Sequence, residues 1–145
     1  MMIKTFYPGD PVKEADLHNI TEFLYEHLQE YRDERPAIRM ALDYALTDKS
    51  KPGGFVLLAV EEEQICGAVI VNKTGMKDYI PENILVYIAV DKSFRGKGIG
   101  KSLMKKTIEL AQGNIKLHVE QNNPARFLYE KFGFEAKYLE MRLSR

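Results

Sequence analysis

The sequence has few of the residues that hold disulfides or metal ions. Only one cysteine, Cys66, occurs in the 145 residues, and there is no tryptophan. A single cysteine excludes a disulfide framework within the chain. Its apolar neighbours in the run 65–71 predict a small buried side chain rather than a nucleophile or a metal ligand. The histidines His18, His27 and His118 lack metal-ligand spacing, so no metal site is predicted.

The chain also has no excess of charge and no long apolar run. Twenty-one basic side chains balance 21 acidic ones, so neither nucleic acid nor an anionic membrane surface is expected as a partner. The longest apolar runs, 55–60 and 84–90, are too short to cross a bilayer. The start of the chain lacks the pattern of a signal peptide. A cytoplasmic location is therefore expected.

The order of patterns along the chain indicates one domain, 1–145, without repeats or linkers. A short strand near 3–7 precedes apolar residues at helical spacing from Leu17 to Tyr31, and Pro36 opens a second helix. Two strand-like runs, 55–61 and 64–72, predict an antiparallel hairpin.

The second half of the chain alternates strands and helices. The continuous apolar run 84–90 is typical of a strand buried on both faces. A helix from Ile99, a strand over 115–120 and a last helix with Asn123 as N-cap and Pro124 as first residue follow. Two C-terminal strands are expected near 134–137 and 139–143.

A glycine-rich loop lies between the buried strand and the third helix. Gly96, Gly98 and Gly100 allow successive backbone N–H groups to point into one concavity at a helix N-terminus, where anions bind favourably. Six basic residues against one acid fall between 91 and 106, a local charge of about +5 in a neutral protein. A bound diphosphate fits this pattern.

Spacing separates this loop from other phosphate loops. The dinucleotide fingerprint starting at Gly96 would need glycine at position 101, which is Lys101. The nucleotide-triphosphate loop ending at 100–102 would need glycine at position 95, which is Arg95. Considered alone, the loop could also be only a glycine-rich turn, followed by a helix whose first basic residues are exposed to solvent.

Two motifs together resemble the GNAT superfamily of acetyl-CoA-dependent N-acetyltransferases. Arg95-x-x-Gly98-x-Gly100 directly after a buried strand is similar to its acetyl-CoA signature. The segment 122–134, with an Asn, then an Ala, then Leu-Tyr-Glu-Lys and Gly-Phe, is similar to its later motif.

The resemblance covers nearly the whole chain and implies a mixed α/β (α+β) fold. It implies a twisted, mostly antiparallel sheet of about seven strands flanked by about four helices, with a V-shaped splay between the fourth and fifth strands. A homodimer is common in the family. Acetyl-CoA is the implied co-substrate, and an amine of a small molecule, peptide or protein is the implied acceptor.

The resemblance also implies roles for individual residues. Main-chain groups of Ile88, Ala89 and Val90 would pair with the pantothenate arm, and a backbone N–H at a bulge near Ala89 or Val90 would stabilise the developing oxyanion. Asn122 would contact the cofactor, and Tyr129 would lie beside the sulfur as general acid. The residues expected to hold the pyrophosphate are Arg95, Gly96, Lys97, Gly98, Ile99, Gly100 and Lys101.

The general base is left open by the sequence. Many family members carry a glutamate in the strand before the loop, but 84–90 contains no carboxylate. Glu82, Tyr87 or Glu120 could act through water. The missing carboxylate also leaves a non-catalytic acyl-CoA-binding module as an alternative function, and Gly100-Lys101-Ser102 leaves a nucleotide-triphosphate enzyme as a third.

Overall fold

The computed structural model describes residues 1–145, the whole sequence. Five strands form one sheet in the order β1-β2-β3-β4-β5. The strands are β1 (Met2–Phe6), β2 (Gly54–Glu61), β3 (Gln64–Lys73), β4 (Asn83–Val90) and β5 (Ile115–Leu117). The helices are α1 (Glu14–His27), α2 (Arg35–Leu46), α3 (Ile99–Leu110) and α4 (Ala125–Lys131).

The sheet is antiparallel except at one edge. Neighbouring strands from β1 to β4 run antiparallel, and β5 runs parallel to β4. This mixed sheet with four helices confirms the predicted fold class. None of the helices has the length and apolar character needed to cross a membrane.

Two hydrophobic clusters lie on opposite faces of the sheet. One is formed beneath α1 and α2, with Leu24 and Leu42 fully buried, and the other beneath α3 and α4, with Leu103 and Met104 fully buried. The middle strands contribute to both clusters, which is why their sequences are apolar without alternation. Cys66 lies in the second cluster, and burial raises the pKa of its thiol, as expected for a packing residue.

The predicted first helix is interrupted before its last apolar residues. Helix α1 ends at His27, and a 3₁₀ turn over Gln29–Tyr31 follows. Gln29 has a φ of 56°, in the left-handed region that a continuous helix cannot use. The chain therefore turns away from the helix axis, and the loop before α2 reaches over the edge of β4.

The prediction of two C-terminal strands is wrong. Residues 134–145 form no strand, and β5 ends at Leu117 instead of extending to 120, so the sheet has five strands rather than seven. The segments 134–137 and 139–143 are separated only by Tyr138. A tight hairpin needs at least two turn residues, of which glycine, asparagine and aspartate are the preferred types, and this stretch has none of them.

Candidate functional site

Strands β4 and β5 separate after a short paired stretch. They pair only from Asn83 opposite Ile115 to Leu85 opposite Leu117, so the rest of β4 has no strand partner on that side. The expected V-shaped splay between the fourth and fifth strands is thus present. Ile88, Ala89 and Val90 lie on the arm of the V that leads to the glycine loop.

The arm formed by β4 contains a bulge at Val86. Tyr87 lies opposite Ile70 of β3 and Leu85 lies opposite Val71, so Val86 between them has no partner on β3. Val86 and Tyr87 consequently pack on the same face of the sheet, against α1 and α2. The expected position of the bulge near Ala89 or Val90 is wrong, because a continuous apolar run has no alternation whose break could mark it.

The glycine loop presents a row of free backbone donors. The N–H groups of residues 96–101 donate no hydrogen bond within the chain. Gly96 and Gly98 have φ values of 81° and 77°, and a Cβ at either would meet no atom within 4 Å. Glycine is therefore required here by backbone conformation and not by crowding, and the concavity is open to a ligand.

The charges around this loop are not neutralised. Arg95, Lys97 and Lys101 form no ion pair with a carboxylate, and the Lys97 ammonium lies 5.0 Å from the centre of the Phe94 ring. The entry to the loop is fixed by Asp91, whose Oδ1 accepts hydrogen bonds from the backbone N–H and hydroxyl of Ser93 at 2.9 and 2.8 Å. The loop thus combines unpaired backbone N–H groups, unpaired cationic side chains and the N-terminus of α3. These are the features of a site that binds an anion such as a pyrophosphate.

Tyr129 lies in the hydrophobic cluster beneath α3 and α4. It is 8% exposed, and its ring packs on Phe134 with centres 6.1 Å apart. Burial raises the pKa of Tyr129 to about 12, so the phenol carries its proton at neutral pH. The hydroxyl has no partner in the chain and is not among the fully buried unpaired polar atoms. It is therefore free to donate to a ligand.

The loop before α4 also meets the loop before α2. The Tyr31 hydroxyl donates to the Asn122 carbonyl at 3.2 Å. The Oδ1 of Asn123 accepts the Ala125 N–H at 2.9 Å. The helix begins at Ala125 with Pro124 as its N-cap, so the prediction of Asn123 as N-cap and Pro124 as first residue is wrong by one residue. The segment around Tyr31 thus spans the opening of the V.

Tyr87 reaches the same spanning segment from β4. Its hydroxyl donates to Asp33 Oδ2 at 2.5 Å. Burial, and then the hydrogen bond and charge of Asp33, raise the pKa of the half-buried Tyr87. A phenol with a raised pKa keeps its proton at neutral pH, so Tyr87 does not fit the role of base.

The two candidate carboxylates lie in different places. Glu82 precedes β4 and lies about 26 Å along the strand from Val90. Its side chain packs where a Cβ on Gly113 would lie, 2.1 Å from Oε2. The structure does not bring it to the glycine loop. Glu120 follows β5 and is exposed, and it is near enough to Tyr31 for its charge to contribute to the raised pKa of that phenol, after burial and Glu30.

His118 is a further candidate that was not predicted from the sequence. It follows β5 between Leu117 and Val119, both of which pack toward α3 and α4. His118 is exposed, and side-chain alternation along an extended chain directs it away from that cluster. The alternation Leu117-His118-Val119 is the sequence signal that could have identified it.

Comparisons with known proteins agree with this geometry. Residues 19–134 match the acetyltransferase (GNAT) family. An 82-residue stretch is 37% identical to the [ribosomal protein bS18]-alanine N-acetyltransferase of Haemophilus influenzae, covering 54% of this chain and 53% of that protein. The matched stretch thus spans about half the length of that relative.

Two solved structures share the fold over nearly their full length. The ribosomal-protein-alanine N-acetyltransferase from Brucella melitensis has a TM-score of 0.67 at 20% identity, covering 100% of this chain and 99% of that one. The aminoglycoside antibiotic 6'-N-acetyltransferase from Acinetobacter haemolyticus has a TM-score of 0.69 at 15% identity, covering 100% and 98%. The family match over most of the sequence, joined to the splayed strands and the glycine loop, shows that this chain belongs to the GNAT acetyltransferase family.

Proposed function

We propose that this chain is an N-acetyltransferase that moves the acetyl group of acetyl-CoA directly to an amine nitrogen. The observation that carries the proposal is the row of unpaired N–H groups at 96–101, directly beyond a strand that splays from its neighbour. Membership of the acetyltransferase family supports the reaction type. When bound, acetyl-CoA supplies the activated acetyl thioester.

The proposed contacts to the co-substrate follow the two arms of the V. Residues 95–101 hold the pyrophosphate through backbone N–H groups and the Arg95, Lys97 and Lys101 side chains. Main-chain groups of Ile88, Ala89 and Val90 pair with the pantothenate arm, and Asn122 contacts it from the opposite side. A backbone N–H of β4 faces the acetyl oxygen, where negative charge develops during transfer.

Tyr129 is the proposed general acid. It donates its phenolic proton to the sulfur that leaves as a thiolate. With a thiol near pKa 8.5 and Tyr129 at about 12, complete proton transfer costs about 5 kcal/mol at 1.36 kcal/mol per pKa unit. Burial of the sulfur in the same site would raise the pKa of the thiol and reduce this cost.

The acceptor class follows from how little base the site offers. At pH 7 a lysine amine with pKa near 10.4 is neutral in about one molecule in 2,500, a cost of about 4.6 kcal/mol. An α-amine with pKa near 7.8 is neutral in about one molecule in seven, a cost of about 1.2 kcal/mol. Because β4 carries no carboxylate and Glu120 and His118 are exposed, an α-amine of a peptide or protein is the better acceptor, with Glu120 or His118 removing the proton through water.

The names of the relatives support two acceptors to test. One relative is named for ribosomal-protein alanine and one for aminoglycosides. Release of free CoA is measured at pH 7 with three acceptors. The first is a peptide that starts with alanine, the second is a peptide with a blocked N-terminus and a lysine as its only amine, and the third is an aminoglycoside. We expect the highest kcat/KM for the free N-terminus. CoA binding without turnover on any amine would favour the non-catalytic acyl-CoA module, and stabilisation by ATP with magnesium but not by acetyl-CoA would refute the proposal.

We also propose a cytoplasmic location, where acetyl-CoA is available.

A further inference from the structure

Tyr87 and Asp33 form a contact that the proposed reaction does not use. Tyr87 lies in the part of β4 that has no strand partner on the β5 side, next to the bulge at Val86, and its side chain packs on the face of the sheet that carries α1 and α2. Its hydroxyl donates to Asp33 Oδ2 at 2.5 Å. Hydrogen bonds to a charged acceptor are short and strong, so the half-buried phenol fixes the exposed carboxylate of Asp33 at the opening of the V.

The charge of Asp33 is not neutralised within the chain. Asp33 belongs to no ion pair, although Arg32 and Arg35 are close to it in the sequence. The guanidinium carbons of these two arginines lie 4.0 and 3.8 Å from the centre of the Tyr25 ring, and Arg35 also pairs with Glu22 at 2.8 Å. Both arginines are thus engaged in cation–π and ion-pair contacts elsewhere. The remaining lone pairs of the Asp33 carboxylate are available to a cation from outside the chain.

Asp33 lies too far from the main chain of β4 to hold the reacting nitrogen itself. The acetyl oxygen is proposed to face a backbone N–H of β4, whereas Asp33 is bonded to the far end of the Tyr87 side chain, so the length of a tyrosine separates the two. In a peptide acceptor, each further residue moves the chain by about 3.8 Å between Cα atoms, and a long cationic side chain extends beyond that. The position of Asp33 therefore suits a second positive group close to the reacting amine.

We propose that Asp33, positioned by Tyr87, binds a second positive charge on the acceptor and so selects peptides with a cationic side chain at the second or third residue. The inference rests on the proposed transfer to an α-amine and adds the class of acceptor. Asp33 is the specificity-determining residue, and Tyr87 is a positioning residue. An ion pair of this exposure changes affinity by at most about fivefold. The effect belongs in KM and not in kcat, because Asp33 does not touch the reacting atoms.

Two peptides test this preference. Both start with alanine, have a free N-terminus and contain no lysine; one has arginine as its second and third residues, and the other has citrulline, which is neutral and of similar shape, at both places. We expect a KM about three- to fivefold lower for the arginine peptide, with similar kcat. Equal KM values would overturn the role of Asp33 and leave the acetyl transfer intact. Failure to release CoA with either peptide would instead refute the α-amine acceptor, and this inference with it.

Three variants assign the preference to the fixed carboxylate. Asp33→Asn should abolish the difference in KM between the two peptides. Tyr87→Phe removes the hydrogen-bond donor but keeps the charge, and it should reduce the difference to about twofold or less. Glu34→Gln is the matched control, because Glu34 is a neighbouring exposed carboxylate that makes no capping hydrogen bond at the start of α2, and it should keep the wild-type preference. A preference that persists in Asp33→Asn, or that Glu34→Gln removes equally, would overturn the proposal.

Discussion

Replacing Gly98 with alanine should weaken coenzyme A binding while leaving the protein folded. Gly98 is the N-cap of α3 with φ of 77° and ψ of 16°. An L-residue in this left-handed conformation costs about 1–2 kcal/mol. A Cβ there meets no atom within 4 Å, so backbone strain is the whole perturbation. The loop of the variant can relieve the strain by rotating its N–H groups out of the concavity.

The size of the effect follows from that strain. Bound coenzyme A must restore the strained loop, so the affinity falls by at most the 1–2 kcal/mol, which is about 5–30-fold in Kd. Isothermal titration calorimetry with coenzyme A measures this directly. Gly9→Ala is the matched control, because Gly9 has a φ of 90° and also meets no atom within 4 Å but lies in the turn after β1.

The two variants should separate stability from binding. Both should lower the melting temperature by at most about 8 °C, and only Gly98→Ala should raise the Kd. Wild-type affinity in Gly98→Ala, or an equal loss of affinity in Gly9→Ala, would refute the claim that the loop conformation holds the ligand.

Three further predictions concern the chemistry. Tyr129→Phe should keep the Kd for coenzyme A and lower turnover about 10²-fold or more in steady-state assays; unchanged turnover would reduce Tyr129 to packing. Burial raises the pKa of Tyr129 to about 12, so the phenol stays protonated above the ordinary phenol pKa. We therefore expect no fall in kcat between pH 8 and 10. A fall in that range that is absent in Tyr129→Phe would contradict this prediction. Glu120→Gln or His118→Gln should lower kcat/KM for the acceptor, most strongly with a lysine amine, whereas Glu82→Gln should not; the reverse order would restore Glu82 as the base.

The open conformation of the glycine loop could be predicted from the sequence because its physics is local. Glycine spacing, a flanking buried strand and a basic helix start are all adjacent in the chain. The structure adds that the N–H groups of residues 96–101 form no hydrogen bond within the chain. The positive φ angles of Gly96 and Gly98 allow this conformation. The hydrogen bond from the Ala125 N–H to the Asn123 side chain was predictable for the same reason.

The segment that spans the opening of the V could not be predicted because it is held by tertiary contacts. Tyr31 meets Asn122 across 91 residues, and Tyr87 meets Asp33 across 54. Neither contact can be predicted from residues that are neighbours in the sequence. Glu82 looked suitable because it precedes β4, but the packing of its side chain on Gly113 depends on how α3 ends.

The C-terminal strands were predicted from alternation alone. Alternation at 139–143 indicates a strand but does not name its partner. The absence of turn residues beside Tyr138 was the sequence signal against a hairpin.

The central claim is that the backbone of residues 96–101 holds the pyrophosphate of coenzyme A, and amide NMR tests it most directly. Titration with coenzyme A should shift the N–H resonances of residues 96–101 more than those of other loops, because these groups gain hydrogen bonds to phosphate. Pantetheine, which lacks the pyrophosphate, should leave them nearly unchanged. Saturation with coenzyme A without a response at 96–101, or an equal response to pantetheine, would contradict the account.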